Sequence, residues 1–134
     1  MRVVFTADEG GFEADECALV CGVAGGGRWL TFQRDAEDSD EDRGIHLEYI
    51  DQANGDYGCV AACRLGPESL SVDLGRQLGG LAGVTGFDVA LRLDAEQWSA
   101  VRDGLRRVFR GHLPMLAEAE QGAAPFPGPH GGFP

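Results

Sequence analysis

The stretch WLTFQRDAEDSDEDRGIHLEYIDQANGDYG (residues 29–58) decides how this chain folds. It opens with an apolar strand pattern, Trp29, Leu30 and Phe32, that ends at Gln33-Arg34. Asp35-Ala36-Glu37-Asp38-Ser39-Asp40-Glu41-Asp42 follows, six carboxylates in eight residues. A second strand pattern comes next: Ile45, Leu47 and Tyr49, with Glu48 between them. Period-two alternation of this kind marks half-buried strands. A dense negative patch is therefore held between two strands that fix it in space. No enzyme motif accompanies it, so the chemistry on offer is electrostatic and favours binding over catalysis.

Working outward, alternation governs most of the chain. Val3 and Phe5 make a short strand, and a Gly-rich acidic turn from Asp8 to Asp15 leads into the apolar run Cys17–Cys21. Gly25-Gly26-Gly27 turns the chain into Arg28–Arg34. After the acidic loop, Asn54-Gly55 is a strong hairpin signal, because both residues tolerate positive φ. Tyr57–Leu65 reads as the next strand, Gly66-Pro67 as a turn, and Leu70, Val72 and Leu74 as another strand. Gly75–Gly83 is looser, and Phe87, Val89, Leu91 and Leu93 close the series. The period then changes. Asp94-Ala95-Glu96-Gln97 is a capping-box sequence. Trp98, Val101, Leu105 and Val108 recur at helical spacing, with Arg102, Arg106, Arg107 and Arg110 on the other face and in the last turn, where cations suit the helix dipole.

These patterns predict an α+β fold: a mostly antiparallel sheet of about six or seven strands with one C-terminal amphipathic helix packed on it. Residues 1–112 read as a single globular domain. Residues 113–134 read as a flexible tail rich in Gly, Pro and Ala, a composition that buries too little surface to offset ordering entropy. Phe126 and Phe133 are its candidate docking residues.

Composition narrows the function further. The chain has 134 residues and a formal net charge of −11, and all eleven of its cations are arginine. Such a balance repels nucleic acid, whose phosphates require basic partners, and anionic membrane surfaces. It suits basic proteins, cations or water. The first residues lack a signal-peptide core, and no apolar run approaches the ~18 residues of a membrane span. The expected location is cytoplasmic.

The acidic loop has three readings. It is a solvated loop, a cation site, or a docking surface for a basic partner. Asp38, Asp40 and Asp42 have the D-x-D-x-D spacing of a calcium loop, but Arg43 stands where the invariant Gly belongs and Tyr49 where the bidentate Glu belongs. The docking reading runs through Asp38, Asp40, Glu41 and Asp42, extended by Glu48, Asp51 and Asp56, and on the residues alone it stands beside the solvated loop. Tyr57 joins them, because tyrosine is enriched at interface hot spots, whereas Tyr49 shares the parity of Leu47 and reads as core. No metal and no cofactor is expected. Cys17 and Cys21 repeat the spacing of Cys59 and Cys63. Residues four apart on a strand are ~13 Å apart, too far to share a metal, so buried free thiols are expected, with an antiparallel pairing of the two segments permitted. His46, His112 and His130 are scattered, and the Gly-rich stretches lack the Lys of a phosphate loop. Glu48 and Asp51 as a hydrolytic pair find no support elsewhere in the chain.

The arrangement resembles the immunity protein 10 family of bacterial polymorphic toxin systems. The resemblance covers about residues 1–110. It rests on Leu30-Thr31-Phe32-Gln33-Arg34, the acidic linker, Leu47-Glu48-Tyr49-Ile50-Asp51-Gln52, the pair Tyr57-Gly58, and the closing segment Leu93-Asp94-Ala95-Glu96-Gln97-Trp98 through Leu105, Val108 and Phe109. It implies a small non-enzymatic protein that binds and neutralises a cognate toxin, as a monomer or weak homodimer. The alternative is an acidic-loop cation-binding or regulatory module without a toxin partner.

Overall fold

The computed structural model describes residues 1–119. In chain order its elements are β1 (Arg2–Ala7), β2 (Glu9–Ala14), β3 (Ala18–Gly25), β4 (Arg28–Asp35), β5 (His46–Tyr49), β6 (Asp51–Tyr57), β7 (Val60–Leu65), β8 (Ser69–Leu74), β9 (Gly86–Leu91), α1 (Ala95–Val108), a 3-10 turn (Leu113–Met115) and β10 (Leu116–Glu118). The fold is α+β, with the helix where the capping box places it. Asp94 accepts from the Gln97 amide at 2.8 Å, and the Gln97 side chain accepts from the Asp94 amide at 3.2 Å.

The strands number ten rather than six or seven, and they form two sheets of five. Sheet 1 runs β1-β9-β8-β7-β10, with β1 parallel to β9 and β10 parallel to β7. Sheet 2 is the antiparallel meander β2-β3-β4-β5-β6. Three strands account for the difference. β2 occupies the segment expected to be a Gly-rich turn, because its outward residues are Glu9, Gly11 and Glu13 and it shows little apolar alternation. β6 contains Asn54-Gly55, so that pair does not make the hairpin turn. The chain reverses at Ile50 instead, at φ 66°, the one non-glycine positive φ among the described residues. β10 lies in the segment expected to be tail; the remainder of that segment, with Phe126, His130 and Phe133, lies outside the described residues.

One buried cluster joins the layers. Sheet 2 points Leu19, Cys21, Leu30, Phe32, Leu47 and Tyr49 inward. Over β5, this face meets sheet 1: Tyr49 lies 6.0 Å from Phe5 and 5.1 Å from Phe87, ring to ring. Over β2–β4, it meets α1, which buries Trp98, Val101, Leu105 and Val108. Phe109 closes on Phe32 at 6.0 Å. Trp98 is 1% exposed, and its indole N–H donates to the Gly66 carbonyl at 2.9 Å, so the helix's largest apolar group is also satisfied as a donor. No helix among the described residues is long and apolar enough to cross a membrane.

Cys21, Cys59 and Cys63 are buried free thiols and Cys17 is an exposed one. The antiparallel register permitted by their spacing does not form, because β3 and β7 belong to different sheets. Burial pushes the Cys21 thiol up to about 12 and raises Cys63 as well, which makes both inert apolar fillers.

Two glycines set the closest approaches. A Cβ on Gly25 would lie 2.2 Å from the Thr6 carbonyl oxygen, where β1 crosses the end of β3. A Cβ on Gly104 would lie 2.6 Å from the Phe12 ring, where α1 presses on β2. Alanine is the better helix former by about 1 kcal/mol, but overpacking against a ring held in a core costs about 1–3 kcal/mol. Gly104→Ala is therefore expected to destabilise the protein, measured as a lower urea midpoint; a higher midpoint would show that Phe12 yields freely.

Candidate functional site

The six carboxylates of the acidic stretch divide into two sets. Three face arginines. Arg34 on β4 is 6% exposed, and its guanidinium makes a two-pronged pair with Asp42, Nε to Oδ1 at 2.8 Å and Nη2 to Oδ2 at 2.6 Å. Its Nη1 donates to the carbonyls of Val108 and Arg110, both at 2.7 Å. Arg43 closes on Asp35 through its side chain at 2.7 and 3.1 Å and through its backbone N–H at 2.9 Å. Arg107 on α1 holds Glu37 at 2.6 and 3.2 Å. Arg110 donates to the Asp35 carbonyl at 2.8 Å. The loop is thus fastened at its base to sheet 2 and to the C-terminal end of α1.

The other three are Asp38, Asp40 and Glu41. All are exposed, and among the described residues their carboxylates make no hydrogen bond or ion pair. Charges of one sign, held on a clamped loop without a bonded partner, give a surface its outward field. The paired set titrates differently from ordinary carboxylates. Hydrogen bonds from Arg34 hold Asp42 far below the usual range, against the desolvation that opposes them. Arg43 lowers Asp35 and Arg107 lowers Glu37, again mainly by side-chain hydrogen bonds.

The remaining sequence candidates fall in three places. Glu48 and Tyr57 both point to the outer face of sheet 2, away from the core. Tyr57 is half-buried there, with the His46 ring 4.8 Å away and the Arg43 guanidinium 5.2 Å from its ring centroid. Arg43 therefore links the acidic loop to this face. Asp51 sits at the opposite end of β5, in the turn at Ile50, and accepts from the Ala53 amide at 2.9 Å. Asp56 is on the other side of β6 from Tyr57 and faces Arg76 at 3.8 Å. So the structure joins the acidic loop to Tyr57 through Arg43, puts Glu48 on the same sheet face, and places Asp51 and Asp56 apart from them.

The calcium-like spacing does not build a ligand set, because both Asp42 oxygens face Arg34. Among the described residues no three His, Cys, Asp or Glu side chains converge as a metal group would. Sequence reasoning misses Arg34, Asp35 and Arg43 as the base of the site. Their partners lie eight and more than seventy residues away, and no local period encodes that. It also misses the outward row Glu9, Gly11 and Glu13. The only signal there is their alternation with Gly10 and Phe12, which glycine conceals.

A protein-family model, that of immunity protein 10, matches residues 6–99, from the end of β1 into α1. The chain belongs to the immunity protein 10 family. No curated protein and no solved structure matches it. The immunity protein 10 match includes the acidic loop, the whole of sheet 2 and the first helical turn, so the loop and the sheet face lie within the family's span. Arg107, Val108 and Arg110, which complete the clamp, lie beyond it.

Removing the clamp has a measurable cost. Arg34→Met keeps length and loses every donor, leaving Asp42 and two helix-terminal carbonyls without their partner. A loss of about 2–4 kcal/mol is expected in denaturant unfolding; a change within about 0.5 kcal/mol would mean that the guanidinium only decorates the fold. Because Asp42 is lowered in the folded state, its contribution is present above the unfolded-state value of ~3.9 and is lost as pH falls below it toward the folded value. Asp42→Asn is accordingly expected to be less stable at pH 7 and to show a shallower decline in Tm below about pH 4 than the unmodified protein. Parallel acid limbs would contradict this.

Proposed function

We propose that this chain is an immunity protein that binds and neutralises a cognate bacterial toxin domain in the cytoplasm. It acts by docking and not by catalysis. The reading is supported by membership of the immunity protein 10 family. The observation that carries it onto particular residues is the division of the acidic loop: three carboxylates are fastened to arginines, and three, Asp38, Asp40 and Glu41, are left for a partner. Asp42 is then a positioning residue, and Tyr57 and Glu48 extend the contact onto the sheet. The toxin surface that fits is basic. Where a toxin works on nucleic acid, such a surface is part of its phosphate-binding groove, and carboxylates on a rigid loop compete with the phosphates for it.

Charges arranged this way act chiefly on the rate of encounter. Co-expression with the toxin domain encoded beside this gene is expected to restore growth and to yield a complex that co-purifies. Reversing Asp38, Asp40 and Glu41 together to Lys is expected to slow association by roughly tenfold or more at low salt and to flatten its dependence on ionic strength, with Tm nearly unchanged. Full rescue and unchanged association kinetics in that triple variant would reduce the loop to a solubility device. Failure of the unmodified chain to protect against a toxin shown to be active would overturn the immunity reading for that pair.

A further inference from the structure

The two sheets turn very different faces to solvent. The outer face of sheet 1 is closed upon itself by charge pairs. Arg2 bridges Asp88 at 2.7 Å and Asp73 at 2.9 Å, Arg64 holds the other oxygen of Asp73 at 2.9 Å, and Ser71 donates to Asp88 at 2.7 Å. Every carboxylate on those central strands has a partner within the protein. A charged partner would first have to break one of these pairs; Val4, on the edge strand β1, stands exposed beside them with no unpaired carboxylate next to it among the described residues.

The outer face of sheet 2 is the reverse. Strand register places Glu9, Ala24 and Trp29 side by side on β2, β3 and β4. The next row is Gly11, Gly22, Thr31 and Glu48, and the next is Glu13, Val20, Gln33, His46 and Tyr57. The helix and sheet 1 both lie on the inner side. A Cβ on Gly10 would meet Val101 and Leu93, and the Phe12 ring lies against Gly104, so the inward residues of β2 are covered and the outward ones are not. Trp29 is 40% exposed and, among the described residues, is the one aromatic of the exposed large hydrophobic set. Glu9, Gly22, Ala24, Trp29 and Thr31 line a shallow depression. Among the described residues the carboxylates of Glu9, Glu13 and Glu48 make no hydrogen bond or ion pair. Glu9 and Trp29 are two strands apart, ~10 Å, which leaves the width of one side chain between them.

We propose that this face is the principal toxin-docking surface, and that it takes a basic segment of the toxin domain whose Arg or Lys side chain lies against Trp29 between Glu9 and Glu48. The proposal rests on the immunity reading and deepens it. The chemistry selects the occupant. An arginine or lysine stem is apolar and its head is charged. The stem suits the floor over Gly22 and Ala24, the head suits the unpaired carboxylates, and the Trp29 ring attracts a cation through its face. A second copy of this chain is disfavoured, because it would set Glu9, Glu13 and Glu48 against one another. The surface continues through Tyr57 and Arg43 to Asp38, Asp40 and Glu41, so the loop steers the partner and the sheet holds it.

Gly11 supplies the test. A Cβ added there meets nothing within 4 Å, and its φ is not in the left-handed region, so a large side chain fits without internal conflict. Gly11→Tyr fills the face, and Trp29→Ala removes its anchor. With the full chain and the toxin domain in calorimetric titration, each variant is expected to keep its Tm within a few degrees and to bind roughly tenfold or more weakly, the loss expected at an aromatic hot spot. Hydroxyl-radical footprinting of the unmodified complex is expected to protect Trp29 and to leave the already buried Trp98 unchanged. It also decides the matter if either variant fails to fold. Unchanged affinity in both folded variants, or an unprotected Trp29, overturns the proposal and leaves immunity through the loop intact. An unmodified chain that binds no active cognate toxin removes the immunity reading and this surface with it.

Discussion

A single buried guanidinium holds together three parts of the molecule that the chain itself connects only distantly. Arg34 projects from the middle sheet strand β4 to the carbonyls of Val108, the last residue of α1, and of Arg110 just beyond it and, by its other edge, to Asp42 at the end of the acidic loop. Four donated bonds in one plane are what a guanidinium can give and an ammonium cannot. The carbonyls at a helix C-terminus have no intrahelical donor, and they carry the negative end of the helix dipole. A buried cation there meets two demands together. Without Asp42 the charge would be costly to bury; with it, the loop becomes part of the core's polar closure.

The rest of the site follows from that arrangement. Six like charges in eight residues repel one another, and a loop bearing them would ordinarily spread into solvent. Arg34, Arg43 and Arg107 neutralise its two ends, at Asp35 and Glu37 and at Asp42, so the unpaired charges between them are displayed from a fixed base. Negative field and rigidity are usually opposed in an acidic loop, and arginines clamping both of its ends reconcile them. All eleven cations of the chain being arginine is consistent with this use, since forked pairing needs planar donors. The two sheets divide the labour likewise. Sheet 1 spends its charges on itself, and sheet 2 leaves Glu9, Glu13 and Glu48 uncommitted beside an exposed tryptophan.

How far the sequence reveals this depends on the range of each interaction. The helix is legible because Asp94 and Gln97 are three residues apart and Trp98, Val101, Leu105 and Val108 follow one period. The strands flanking the acidic loop are legible for the same reason, with Leu30 and Phe32 and then Leu47 and Tyr49 alternating inward. β2 is hidden because two of its six residues are glycine and its side toward α1 is filled by Gly10 and Phe12. Asn54-Gly55 misleads because a strong turn pair can lie within an edge strand when the residue before that strand, here Ile50, adopts the reversing conformation. The acidic stretch is plain in the sequence, but its division into paired and unpaired carboxylates is not. That division depends on where Val108 and Arg110 come to rest.

The order of strands in the two sheets has a consequence for how the molecule is made. Sheet 2 is assembled from one continuous run, Glu9–Tyr57, and each strand pairs with its neighbour in the chain. Sheet 1 cannot close until β9 has emerged, because β1 pairs only with β9. A nascent chain therefore holds the complete meander whose inner face, Leu19, Leu30, Phe32 and Leu47, is only partly covered until β9 and α1 leave the ribosome. Long-range pairing of this kind is slow to form. The interval in which apolar surface stands bare is thus written into the strand order.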